Sequence, residues 1–122
     1  MNTPMEAVAE ALEPLAAQGV YVYRDVQRKE LDTNNQPNFL FPSLVWSIEE
    51  GGWDQSLSGK RLAYVTVTMT LRGPTTQQVD DTWESLKSLL MGNQFRDLSG
   101  PSTSWLPGEE LYAIGAEAAI LI

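Results

Sequence analysis

The stretch Lys60 to Arg72 alternates strictly between two kinds of side chain. Ala63, Val65, Val67, Met69 and Leu71 fall on one side, and Tyr64, Thr66, Thr68, Thr70 and Arg72 on the other. Period two sustained over this length is a strand with one buried and one polar face, as antiparallel sheets show. Such a strand cannot stand alone, and the chain supplies its neighbours. Leu111 to Ile122 places Tyr112, Ile114, Ala116, Ala118, Ile120 and Ile122 on one face. In Phe39 to Ile48, Leu44, Trp46 and Ile48 alternate with Val45 and Ser47. Pro42 cannot donate to a ladder, so this stretch lies at an edge or starts beyond Pro42. Val20 to Tyr23 is a short β-branched and aromatic run, a fourth strand. Glu50-Gly51-Gly52 is expected to turn the chain, with Trp53 to Gly59 as the far side of a hairpin.

An apolar sheet face needs a cover, and two helices are written for it. Thr3-Pro4-Met5-Glu6 carries a cap, a proline at the first helical position and a capping-box acid. Met5, Val8, Leu12 and Leu15 then form an apolar stripe, with Pro14 expected to kink the last turn and Gly19 to end it. The second helix starts after Gly73-Pro74, capped by Thr75 or Thr76, and Gly92 closes it. Val79, Trp83, Leu86 and Leu90 are its stripe, and Asp80, Asp81 and Glu84 lie toward its positive end. Residues 24–38 and 93–108 read as loops. The expected fold is α+β, a mostly antiparallel four-stranded sheet with two helices on one face, order α-β-β-β-α-β. At 122 residues the chain makes one domain, 1–122.

Composition then removes most chemistry. There is no cysteine and no histidine. Thiol nucleophiles, disulfides, imidazole or thiolate metal sites and Ser-His-Asp triads are excluded together. Sixteen acids against eight bases give a net charge of −8, which repels nucleic acid instead of binding it. Met1-Asn2-Thr3-Pro4 lacks the features of a signal peptide, and no apolar stretch is long enough to cross a bilayer. The chain reads as soluble and intracellular when made, with no cofactor and no membrane partner.

Carboxylates are the remaining catalytic candidates. Asp80 and Glu84 are one helical turn apart and, with Asp81, could hold a hard cation or act as acid and base. Acids complementing the helix dipole are the stronger reading. Asp32-x-Asn34 lacks the glycine and closing glutamate of a calcium loop. Glu49-Glu50 and Glu109-Glu110 flank turns and read as solvated surface. No phosphate-binding or dinucleotide motif is present. The aromatic residues divide differently. Trp46 and Trp83 belong to apolar stripes and are expected in the core. Trp53 and Trp105 sit in polar, Gly- and Ser-rich segments, either tucked under their own loops or exposed as interface anchors. Phe39 and Phe41, beside the loop and Pro42, pose the same choice. The exposed edge of the Phe39–Ile48 strand is a further candidate contact.

The whole arrangement resembles the tail terminator, or tail completion, proteins of tailed bacteriophages. The similarity runs from the helix Met5–Leu15 through Gly19 into Val20-Tyr21-Val22-Tyr23. It continues through Phe39-Leu40-Phe41-Pro42-Ser43-Leu44-Val45-Trp46, the polar turn Asp54-Gln55-Ser56-Leu57-Ser58-Gly59, the strand Arg61–Leu71, the helix Gln77–Met91 and the terminal strand. The resemblance implies a structural virion protein and not an enzyme. Such proteins form a homo-hexameric ring on the head-proximal end of the tail tube, stop its polymerisation and dock to the head-side connector. The implied partners are other copies of the chain, the tail tube protein, the connector or neck protein, and a sheath protein if the tail contracts. The implied location is the tail or neck of the virion, assembled in the host cytoplasm. DNA passes through the ring without specific binding, and an acidic lumen, with Asp80, Asp81 and Glu84 as candidates, would repel it. The loops 24–38 and 93–108 match no family signature, so the family's loop contacts do not transfer to named residues. Another head–tail joining protein is the nearest alternative. A DNA-mimic inhibitor of a host nuclease is the second, opposed by the interspersed bases Arg28-Lys29 and Lys60-Arg61.

Overall fold

The computed structural model describes residues 4–49, 53–55, 61–92, 95–99 and 103–121. In chain order the elements are α1 (Pro4–Ala17), β1 (Tyr21–Arg24), β2 (Glu30–Leu31), β3 (Pro37–Asn38), β4 (Ser43–Glu49), β5 (Trp53–Gln55), β6 (Arg61–Gly73), α2 (Thr76–Met91), β7 (Phe95–Ser99), β8 (Thr103–Leu106) and β9 (Leu111–Leu121). The alternating segment is β6, and it lies at the centre. The main sheet runs β1-β4-β6-β9-β7, with β5 also paired to β6 and β8 also paired to β9.

The register explains the central place of β6. On one side it pairs antiparallel with β9 from Tyr64 opposite Leu121 to Gly73 opposite Tyr112. On the other it pairs with β4 from Arg72 opposite Ser43 to Thr66 opposite Glu49, and then with β5 at Ala63 opposite Trp53. Beyond β9, β8 pairs with residues 111–114 and β7 takes over toward Ile120.

Several expectations need correction. The sheet has five strands along its path and is mixed, because β1 runs parallel to β4, Tyr21 opposite Ser43 and Arg24 opposite Trp46. Residues 25–42 are long enough to carry the chain back to the end from which β1 started, which a parallel pair requires. The Phe39–Ile48 segment therefore offers no free edge over Ser43–Trp46, since β4 lies between β1 and β6. It does begin just beyond Pro42. Residues 53–55 pair with β6 and not with β4, so they are not the far side of a hairpin with β4; the expected turn Glu50–Gly52 and residues 56–59 lie outside the described residues. Finally, residues 93–108 are not structureless. Phe95 and Leu98 pack against the core, and the backbones of β7 and β8 complete the outer ladder of β9. Short edge strands do this without the alternation that marks a central strand. Residues 24–38, read as loop, contain the small antiparallel ribbon of β2 and β3.

Both helices cover the same sheet face. Val8, Leu12 and Leu15 of α1 and Val79, Trp83, Leu86 and Leu90 of α2 bury against Leu44, Trp46, Val65, Val67, Met69, Leu71, Ile114, Ala116, Ala118 and Ile120. Met5, the first residue of the expected stripe, is instead exposed. Thr75 caps α2, its hydroxyl accepting from the Gln78 amide at 3.1 Å. The first turn of α2 holds no acid. Asp80 and Asp81 come a turn later, where the dipole field has faded, so dipole complementation does not account for them.

The exit from α1 shows how one residue sets a chain direction. The Val20 amide donates to the Leu15 carbonyl at 3.1 Å and the Gly19 amide to the Ala16 carbonyl at 3.2 Å, with Gly19 at φ +93°. This is the paired-bond helix end that needs a left-handed residue, and the flanking Val20 and Leu15 are both buried. It turns the chain directly into β1. Gly19→Ala should destabilise the fold by about 1–2 kcal/mol through the left-handed backbone alone. Gly115, on the helix-free face, has nothing within 4 Å of where a Cβ would stand. Gly115→Ala should be neutral or slightly stabilising. Paired thermal melts check both, and a Gly19→Ala variant as stable as wild type would contradict the role of this turn.

Candidate functional site

The sheet face opposite the helices carries Val45, Ser47, Thr66, Thr68, Thr70 and Arg72, all half-buried. Ser47 and Thr68 share a hydroxyl–hydroxyl hydrogen bond of 2.6 Å across the β4–β6 ladder. No helix lies on this face, but the 25–42 crossover lies over one end of it. Gln27 fixes the crossover. It is buried, its Nε2 donates to the Leu40 carbonyl at 2.9 Å, and its Oε1 accepts from the buried Ser43 hydroxyl at 3.2 Å. A buried amide with both ends satisfied is a strong local anchor, because breaking either bond leaves an unpaired polar group. Sequence reading had no means to find it, since Gln27 sits among charged residues with no apolar period around it.

Two further interactions shape the crossover. The buried Tyr23 hydroxyl donates to the Glu30 carboxylate, tying β2 to β1. Asp32 organises the tip. Its Oδ1 accepts from the amides of Asn34 at 2.9 Å and Gln36 at 3.0 Å, and its Oδ2 accepts from the Asn38 side chain at 2.7 Å. The Gln36 amide, then Asn38, hold the Asp32 carboxyl below the usual carboxylate range. Those oxygens hold the turn together.

Between the crossover and the sheet is a cleft of about 540 Å³ lined by Asp25, Val26, Gln27, Asn38, Phe39, Phe41, Val45, Arg72, Glu109 and Leu111. Two of the expected interface residues meet here. Phe39 is 46% exposed, with the Lys29 ammonium 5.5 Å from its ring centre. Phe41 is half-buried, beside the cis bond to Pro42. Arg72, at the end of β6, has a buried Nε with no hydrogen-bond partner among the described residues. Of the nearby bases, Lys29 stands at the cleft, whereas Arg24, paired with Asp25 at 3.6 Å, and Arg28 line a second groove with Met5 and Glu6.

Trp105 lies elsewhere. It stands on β8 opposite Tyr112, ring centres 4.7 Å apart and tilted by 55°, and is 47% exposed. It is neither tucked under a loop nor free of support. The Thr103 hydroxyl donates to Asp80 at 3.1 Å, binding β8 to α2 beside it. Asp81 and Glu84 are also exposed, and Glu84 pairs with Lys87 at 3.0 Å. Asp80, Asp81 and Glu84 thus lie exposed on one helix, Asp80 bonded to Thr103 and Glu84 to Lys87. The backbone of Trp53 lies in β5, and its side chain falls outside the described residues. Among the described residues no group of three or more acids could hold a metal ion, and no helix is long and apolar enough to cross a membrane.

This α+β architecture, a mixed sheet with two helices on one face, has a counterpart among solved structures. No protein-family model and no curated protein matches the chain. In fold it is similar to a chain from the virion of a native gene transfer agent particle, with a TM-score of 0.59 over 97% of this chain and 92% of that one. The two are 13% identical, so the likeness is one of fold.

Burial, and then Glu30, push the Tyr23 hydroxyl up from 10.0 to about 12. The folded chain keeps this proton to higher pH than an unfolded tyrosine does. The resulting stability is therefore complete below pH 10 and lost as pH rises toward about 12. The stability difference between wild type and Tyr23→Phe should shrink across that window, measured by denaturant unfolding at stepped pH. A difference constant from pH 9 to 12 would show that the hydroxyl does not hold the crossover.

Proposed function

We propose that the chain is a structural protein of a phage-like virion, and specifically a subunit of a tail terminator ring. One observation carries the reading: nearly the whole chain shares its fold with a chain of a gene transfer agent virion. Order and spacing along the sequence support the finer assignment, because the elements quoted for the tail terminator resemblance coincide with α1, β1, β4, β6, α2 and β9. A non-enzymatic role is part of the proposal.

Size is compatible with a ring around DNA. A domain of this length has a radius of gyration of about 14 Å and hence a diameter of roughly 35 Å. Six equal spheres in contact enclose a hole as wide as a seventh, which admits a duplex even after some interdigitation. Acids on the inner wall, with Asp80, Asp81 and Glu84 as candidates, would let DNA slide without sticking. Subunits in a closed ring contact through two different patches. Phe39 and Phe41 on the cleft and Trp105 on β8 supply exposed aromatic surface at two separate places.

Electron microscopy of the purified protein, alone and mixed with tail tubes, tests the proposal. Six-fold rings seated on one end of each tube are expected. Rings that bind only the head-side connector would make it a different neck protein. A protein that stays monomeric and leaves tubes uncapped would end the reading.

A further inference from the structure

Trp105 and the cleft lie on opposite faces of the sheet. Trp105 stands opposite Tyr112, which shares its face with Ile114 and the helices, whereas Leu111 and Val45 line the cleft on the other side. No subunit can therefore fill its cleft with its own Trp105.

The cleft nevertheless suits an indole better than any charged group. Val26, 64% exposed, and Phe39 provide apolar walls. Arg72 lines the cleft with its Nε buried, and Asp25, paired with Arg24 at 3.6 Å, and Glu109 add carboxylates. An incoming carboxylate would meet those acids, and an incoming cation would meet Arg72. An indole satisfies both, its face taking the guanidinium and its N–H donating to a carboxylate. The charges at the two patches also match. The Lys29 ammonium stands over Phe39 at the cleft, and Asp80 accepts from Thr103, two residues from Trp105 on β8.

We infer that Trp105 of one copy inserts into the Arg72–Phe39 cleft of a second copy, with Asp80 facing Lys29. The inference rests on the ring reading and identifies its subunit contact. It assigns Asp80 to that contact and leaves Asp81 and Glu84 for the lumen. Because knob and cleft are different surfaces, the contact is head-to-tail and propagates until a ring closes.

The test uses sedimentation velocity on the full chain and two variants, Trp105→Ala and Phe39→Ala, with circular dichroism to confirm folding. Each variant alone should associate at least ~30-fold more weakly than wild type, as truncation of an aromatic anchor does. Phe39→Ala keeps an intact knob and Trp105→Ala an intact cleft. Mixed in equal amounts, they should form dimers and nothing larger. A mixture that stays monomeric, a variant that assembles like wild type, or a wild type that does not self-associate overturns the contact. Tube-capping rings that survive Trp105→Ala remove this contact and keep the ring. Complementing variants whose wild type never caps a tube keep the contact and remove the ring.

Discussion

The structure depends on the two-sided pairing of β6. Its odd-numbered residues from Val65 to Leu71 bury under both helices, and its even-numbered residues line the helix-free face. One residue of slippage would exchange the two sets, placing threonines and Arg72 under α1 and α2. With β9 on one edge and β4 then β5 on the other, nearly every backbone group of β6 is bound into the ladder. The helices, the crossover and the edge strands take their positions from this strand.

The two faces of the sheet have different work. The helix face is apolar and closed, made of leucines, valines, alanines and two tryptophans. The other face is built from serines, threonines and small residues, with the crossover laid over one end and pinned by Gln27. Surface suited to partners lies on that face and on β8, away from the packed core. This division suits the structural role proposed above.

The regular parts of the fold were legible because their periods were long and clean. β6, β9, the α2 stripe and the α1 stripe from Val8 onward follow directly from the residues, and the structure chooses Thr75 over Thr76 as the cap of α2. The parallel placement of β1 was not legible, because four residues of strand do not state which neighbour they will join or in which direction. β7 and β8 escaped notice because edge strands, half in solvent, need no alternation. The aromatic candidates were recognised by their polar surroundings, but that Phe39 and Phe41 share a cleft with Arg72 is a product of the crossover's path. Gln27 left no trace in the pattern, since its importance comes from two partners distant in sequence, Leu40 and Ser43.

The crossover that allows β1 to run parallel to β4 also forms one wall of the cleft. A crossover of this length is ordered only once its few anchoring contacts, Gln27 with Leu40 and Ser43 and Tyr23 with Glu30, are made. A chain with the crossover unseated keeps its helices and the β4-β6-β9 ladder but has no cleft. On the contact inferred above, such a chain cannot accept a neighbour. Assembly would then act as an inspection step, admitting finished subunits and passing over incomplete ones without any chaperone to sort them.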